Sequence, residues 1–167
     1  MGWDNVMPEF NFWQALQTNI FGVWQEHRGL GLYDGMGHAA NLVHTLFLWL
    51  LSIAIPANLL RYTFHFLMHF LGGIGAYTLL RRIANKKTAA LGGALFYLFN
   101  LTTIQMFYTP LEAFSVHFAA LPWLAWSLLT YLKGGSHRHL LAFFIIAFLA
   151  TPQFFIPTLL LPVGILL

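Results

Sequence analysis

The chain has 167 residues, of which 59% are apolar and only 8% are charged. Soluble domains carry roughly 45–50% apolar and about 25% charged residues. This composition therefore excludes an ordinary hydrated surface and suits a lipid-facing one, because lipid solvates apolar side chains and penalises charge. The net charge of +3 comes without any Lys/Arg stripe interleaved with aromatics, which argues against nucleic acid as a partner. The lack of cysteine excludes disulfides, zinc–thiolate sites and thiol catalysis.

The opening MGWDNVMPEF has no basic stretch and no apolar core, so it is not a signal peptide. Residues 1–42 are the one extended polar region and hold four of the five acids: Asp4, Glu9, Glu26 and Asp34. Phe12, Ala15, Leu16, Ile20 and Val23 recur at helical spacing, which predicts an amphipathic helix over about 10–27. Trp13 and Trp24 suit the membrane–water interface. Four glycines in Gly29–Gly37 predict a loop.

Residues 43–57 are apolar but shorter than the roughly 20 residues a span needs, so they predict a re-entrant or juxtamembrane helix closed by Pro56. A short true span is the alternative. Spans are then expected at 58–80, 88–108, 113–132, 139–151 and 154–167. RRIANKK closes the first, Thr109–Pro110 breaks the second, and Lys133 to His139 ends the third. Pro152, Pro157 and Pro162 divide the rest. The chain begins without an early span and stops inside LLLPVGILL, so the expectation is a fragment of a longer protein. The expected fold class is all-α: a polytopic transmembrane helical bundle over 58–167, with an outer-face loop, residues 1–57, containing amphipathic and juxtamembrane helices.

Short loops rich in Lys and Arg mark the cytoplasmic side. Residues 81–87 carry Arg81, Arg82, Lys86 and Lys87, and residues 133–139 carry Lys133 and Arg138. Two spans separate these loops, so both fall on one face. The chain is thus expected in the cytoplasmic membrane, with residues 1–57 and Glu112 on the extracytoplasmic side.

Asp4, beside Trp3, Asn5 and Glu9, is the leading chemical candidate. A carboxylate at a membrane surface acts as general base toward a hydroxyl within about 3 Å, or simply caps the helix that follows. Glu9, Glu26 and Asp34 complete a polar or metal-assisting site only if they converge in space; otherwise they are solvated loop acids. Arg28 and Arg61 are the outward-side cations. A guanidinium grips phosphate with two parallel hydrogen bonds, although Arg61 near the start of a span can equally snorkel to head groups.

His65 and His69 share one helix face. HFLMH lacks the Glu of HExxH and a visible third ligand, so packed histidines are the plainer reading. His38 and His44 border the glycine loop and the juxtamembrane helix. A cluster of His38, Glu112 and His117 around an outer cavity is a speculative grouping. Glu112 is a lone acid at the outer end of a span. Such acids are costly unless they serve a cavity or a partner, or face the helix dipole. Gly72, Gly75, Gly92 and Gly93 read as close-packing positions. No residue is assigned to a metal and no cofactor is expected, although a divalent metal is compatible with the acids.

Three pieces now stand in order: GWDNVMPEFN, the juxtamembrane NLVHTLFLWLLSIAIP, and the hairpin LLRYTFHFLMHFLGGIGAYTLLRRIANKKTAALGGALFYLFNLT turned at the cytoplasm. Together they resemble the GT-C superfamily of membrane glycosyltransferases, especially arabinofuranosyltransferase-like and related uncharacterised bacterial multi-pass proteins. The resemblance implies an inverting transferase that moves a sugar from a polyprenyl-phosphate donor to an acceptor on the outer face. It implies Asp4 as catalytic base or acceptor-orienting carboxylate, with Glu9 standing nearest to the second early acid of some members. Glu9, Arg28, Asp34, His38, Arg61 and Glu112 are the substrate-binding candidates, with Arg28 or Arg61 on the leaving phosphate. The lipid tail is expected in the groove beside the juxtamembrane helix, making membrane lipid and the polyprenyl-phosphate donor the partners. A transporter or flippase of a lipid-linked substrate, suited by the proline-broken helices, and a non-catalytic membrane subunit are the competing readings.

Overall fold

The computed structural model describes residues 8–21, 24–25, 32–33, 38–108 and 111–166. A 3-10 turn, Pro8–Phe10, leads into α1 (Phe12–Phe21). Asn11 starts α1 by accepting the Gln14 N–H on its side-chain oxygen at 3.0 Å, which satisfies one of the free donors of the first turn. The helix ends six residues before the expected 27. Gly22 disfavours its continuation, and Trp24–Gln25 (β1) pairs antiparallel with Leu32–Tyr33 (β2) instead. This two-residue ladder is the only strand pairing among the described residues; the fold is otherwise helical.

The predicted juxtamembrane segment is α2 (His38–Leu51), which starts earlier than expected and gives way to a turn over 52–56. Buried Asn19 donates to the Thr45 hydroxyl at 2.8 Å and pins α1 to α2. Pro56 then stands at the head of α3 (Ala57–Ala84), where a missing N–H costs nothing. The helix runs past the expected 80. Arg81 and Arg82 fill its last turn, where cations favour the dipole, and Asn85 stops it in the left-handed conformation at φ 52°.

The expected span 88–108 is two helices, α4 (Lys87–Phe99) and α5 (Leu101–Tyr108), bent by 40°. Asn100 makes the break. Its amide donates to the Phe96 and Tyr97 carbonyls at 3.0 and 3.1 Å, which closes the end of α4. Its oxygen accepts the Thr103 N–H at 3.0 Å, which caps α5.

α6 (Glu112–Leu132) is the central helix and carries Pro122 in its interior. Proline has no N–H, so the Phe118 carbonyl four residues earlier loses its helical donor. The Tyr97 hydroxyl supplies one from α4 at 2.8 Å. α7 (His137–Leu149) follows a turn in which Gly134 takes φ 85°. The expected helix 154–167 is instead two 3-10 turns, Thr151–Phe155 and Pro157–Leu159, and the short α8 (Leu160–Leu166), because Pro152 and Pro157 deny the chain successive helical donors.

Residue pairings fix the packing. Arg61 meets Glu112, His65 meets Ser115 and Leu71 meets Trp123, so α3 and α6 run parallel. Gly93 lies against Leu80 and Gly73 against Leu98, so α4 returns antiparallel to α3. Tyr131 and Trp126 meet His137 and His139, so α7 returns antiparallel to α6. The α3–α4 and α6–α7 turns therefore share one end of the bundle, and Arg61 and Glu112 share the other.

Small residues allow the close approach. A Cβ on Gly75 would stand 2.7 Å from the Trp123 indole nitrogen, which reaches past it to the Leu71 carbonyl at 3.0 Å. Gly72 is equally tight against the Phe118 ring. Gly92, expected to share this role, has nothing within 4 Å, and Gly73 takes its place. Leu48, Leu60, Phe64, Leu124 and Phe143 form the core between α2, α3, α6 and α7.

By length and composition, α6 is the one described helix able to cross a membrane, and the bent α4–α5 pair is a second if it counts as one span. α2 and α7 are apolar but short. α3 is long enough, but Arg61, His65 and His69 interrupt its apolarity. Helix length and apolarity thus carry fewer crossings than the sequence pattern suggests.

Candidate substrate site

Arg61 lies in the first turns of α3 and Glu112 opens α6, so the parallel packing of these helices brings both side chains to one end. The Pro8–Phe10 turn lays Glu9 on the same point. Arg61 donates from Nε to Glu9 Oε1 at 3.1 Å and from Nη2 to Oε2 at 3.3 Å. Its Nη1 stands 3.0 Å from Glu112 Oε1. The three side chains are only 8–12% exposed. Withdrawing charges from water is offset only when each finds a partner, and the guanidinium fork meets that need for two carboxylates at once. Glu112 also sits where the α6 dipole favours an anion. Arg61 therefore does not snorkel to the surface; it organises two acids.

One helical turn deeper, the His65 Nδ1 and the Ser115 hydroxyl lie 2.7 Å apart, and Ser115 also donates to the Leu111 carbonyl at 3.1 Å. His44 of α2 completes this layer, with its ring edge-on to Phe64 at 4.7 Å between centroids. Burial holds the His44 imidazole neutral, lowering its pKa from 6.5 to about 3, with the Arg61 charge and then His65 adding to the effect.

Directly beneath lies an apolar cleft of about 290 Å³ between α2, α3, α6 and α7. Its walls include Phe47, Leu67, Met68, Val116, Trp123 and Ile146, and His44 is its one titratable lining residue. The cleft runs from Phe64, next to the ion cluster, to Leu71, a depth of about 10 Å at the helical rise.

Of the sequence candidates, Glu9, Arg61 and Glu112 come together. Asp4, Glu26, Arg28 and Asp34 lie outside the described residues. His38 opens α2, but its side chain also lies outside them. His117 does not join Glu112; its Nδ1 pairs with buried Gln153 at 2.9 Å. His69 stacks on Phe118 with centroids 5.6 Å apart, as a packed histidine. Among the described residues no three His, Asp or Glu side chains could hold a metal.

Sequence reasoning passed over Ser115 and Gln153. Ser115 had a signal, since Arg61 and His65 are four apart and Glu112 and Ser115 three apart, so each pair shares a helix face. Gln153 had none, because it lies in a 3-10 turn outside any periodic pattern.

These features define a helical bundle with a buried, ion-paired end above an apolar cleft. No protein-family model, no curated protein and no solved structure matches the chain.

Proposed function

We propose that the chain is the membrane part of a polytopic glycosyltransferase of the GT-C kind, acting on a polyprenyl-phosphate-linked sugar at the extracytoplasmic face. The observation that carries this reading is the apolar cleft ending beneath the Glu9–Arg61–Glu112 cluster. An amphiphile with a long apolar chain and a polar head fits that juxtaposition. Membrane insertion is supported by Phe66, Phe70, Phe96, Phe99, Phe144 and Phe148, all more than half exposed on α3, α4 and α7. A monomer in water rarely exposes so many large apolar side chains on helix faces. In this reading α3, the α4–α5 pair, α6 and the segment from α7 onward cross the bilayer, and α1 and α2 lie on the outer face.

Asp4, five residues before Glu9, takes the proton of the acceptor hydroxyl. The oxygen attacks the anomeric carbon, the bond to the lipid phosphate breaks, and the centre inverts. Glu9 and Glu112, held by Arg61, orient acceptor hydroxyls. With the Arg61 fork occupied by carboxylates, Arg28 is the arginine assigned to the leaving phosphate. Asp34 and His38 belong to the same outer-face segment and border the substrate. No residue is assigned to a cofactor, and a divalent metal is compatible with the acids of this segment.

Transport of a lipid-linked substrate is the second reading, favoured by the break between α4 and α5. The break is closed, however, because Asn100 and Thr103 satisfy its backbone groups. The test is sugar transfer in membranes supplied with polyprenyl-phosphate donors. Asp4→Asn should lower transfer at least about a hundredfold with expression unchanged. Full activity of Asp4→Asn would remove Asp4 from the mechanism. Donor movement across vesicles without any transfer would favour transport.

A further inference from the structure

We propose that the α3–α4 and α6–α7 turns together form a binding surface for anionic phospholipid headgroups. This rests on membrane insertion as proposed above and is independent of the transferase chemistry. Antiparallel returns on two parallel helices bring both turns to the same end. Arg81, Arg82, Lys86 and Lys87 come from one turn, and Lys133 and Arg138 from the other. All but partly covered Arg81 are exposed.

Among the described residues no acid balances them. Residues 35–111 and 113–167 contain neither Asp nor Glu. Nor do these cations all serve the helices that carry them. Lys86 is the N-cap of α4, Lys87 opens it, and Arg138 sits in the first turn of α7. The helix dipole repels positive charge at those places. Among the described residues they find no counter-charge, so an external anion is the partner this surface fits.

The position of the surface selects lipid over a soluble anion. Ile83 is 57% exposed, Leu132 67% and Leu141 60%, each within a turn or so of the cations. Trp126 and Tyr131 lie at the same level against His139 and His137. Exposed apolar side chains and aromatics interleaved with cations at the helix ends match the zone where hydrocarbon gives way to headgroups. The negative headgroup layer of a bilayer is the complementary surface at that level. Asn85 and Gly134, both at positive φ, keep the two turns short, so the cations are presented close to the helix ends.

The test uses the full chain, purified in an uncharged detergent and supplied with micellar phosphatidylglycerol or phosphatidylcholine, with the unfolding temperature as readout. Phosphatidylglycerol should raise it and phosphatidylcholine should not. The rise should shrink between 0.1 M and 1 M salt, as the screening length falls from about 10 Å to about 3 Å. Lys86→Gln/Lys87→Gln leaves Arg81, Arg82, Lys133 and Arg138 to fix orientation. It should require about fivefold more phosphatidylglycerol per cation removed for the same rise.

A rise of equal size with inorganic phosphate would overturn the lipid assignment. So would a salt-independent rise in the wild type, or a double variant with an unchanged requirement. A chain that stays monomeric in water without detergent would overturn the insertion reading as well. Failure to respond to phosphatidylglycerol while still needing detergent would overturn only this surface.

Discussion

At one end of the bundle Glu9, Arg61 and Glu112 meet within 3.3 Å and are nearly closed off from water. At the other, Arg82, Lys86, Lys87, Lys133 and Arg138 stand in solvent with no acid nearby in sequence. The difference lies in who supplies the partner. The acidic end finds its counter-charges within the chain, so its charges are part of the fold. The basic end has no such partner among the described residues, so its charges should be dispensable for folding and free for recognition. A substitution that is drastic at the first end should be mild at the second.

Arg61→Met is the largest test of that contrast. It leaves two carboxylates in a site closed to water without the guanidinium, and such uncompensated burial costs about 3–5 kcal/mol. Chemical unfolding in detergent should show the folded state of this variant largely lost. Lys87→Gln, on the exposed turn, should barely move the midpoint. Equal responses would remove the distinction between the ends.

Next comes the middle of the bundle, where the same rule should hold for an uncharged group. Tyr97→Phe strips the Phe118 carbonyl of the donor that replaces its lost helical one. The expected cost is about 1–3 kcal/mol. Pro122→Ala restores a backbone N–H four residues on, so Tyr97→Phe should cost much less in that background. The coupling in a double-mutant cycle measures this, and additive effects would mean that Tyr97 does not stand in for the missing N–H.

Two glycines sharpen the packing side of the comparison. Gly75→Ala places a methyl 2.7 Å from the Trp123 nitrogen, between the indole and the Leu71 carbonyl. Overpacking of this kind costs about 1–3 kcal/mol. Gly92→Ala enters open space in a helix interior and should be neutral or stabilise by up to about 1 kcal/mol. Thermal unfolding of the two variants should therefore move in opposite directions or differ clearly.

Much of the helical layout was legible because apolar runs, basic turns and prolines are local signals. The positions of α3, α6 and α7 follow from them to within a few residues, whereas α2 lies five to six residues earlier than its apolar run suggests. What failed was also physical. The break at Asn100 depends on one side chain bonding forward and backward at once, and apolarity runs through it unchanged. The early end of α1 reflects competition from strand pairing across a stretch that looks helical in isolation. Glu9, Arg61 and Glu112 were each visible as acids or cations at the outer side. Their association was not, because 52 residues separate Glu9 from Arg61 and no local spacing links them. Arg61 alone looks like a phosphate ligand or a snorkelling side chain; paired twice, it is an organiser of carboxylates.

The smallest expected effect is the part of the pH dependence that His44 carries at the acidic end. His44 lies on α2, outside the proposed spans, and its pKa falls from 6.5 to about 3, chiefly by burial. In the unfolded chain it takes up a proton as the pH drops through 6.5, while the folded chain does not until about 3. The unfolded state therefore binds more protons between these values, and this group's contribution makes stability fall as the pH falls through that window. Between pH 7 and pH 6 the loss is somewhat under 1 kcal/mol. His44→Phe keeps an aromatic ring against Phe64 and removes the titration, so its stability should decline less steeply over the same range. Unfolding midpoints of wild type and variant at pH 7, 6.5 and 6 give the difference directly. Parallel curves would mean that His44 is protonated equally in both states, and the neutral, water-excluded environment assigned to the layer beneath Arg61 would have to be given up.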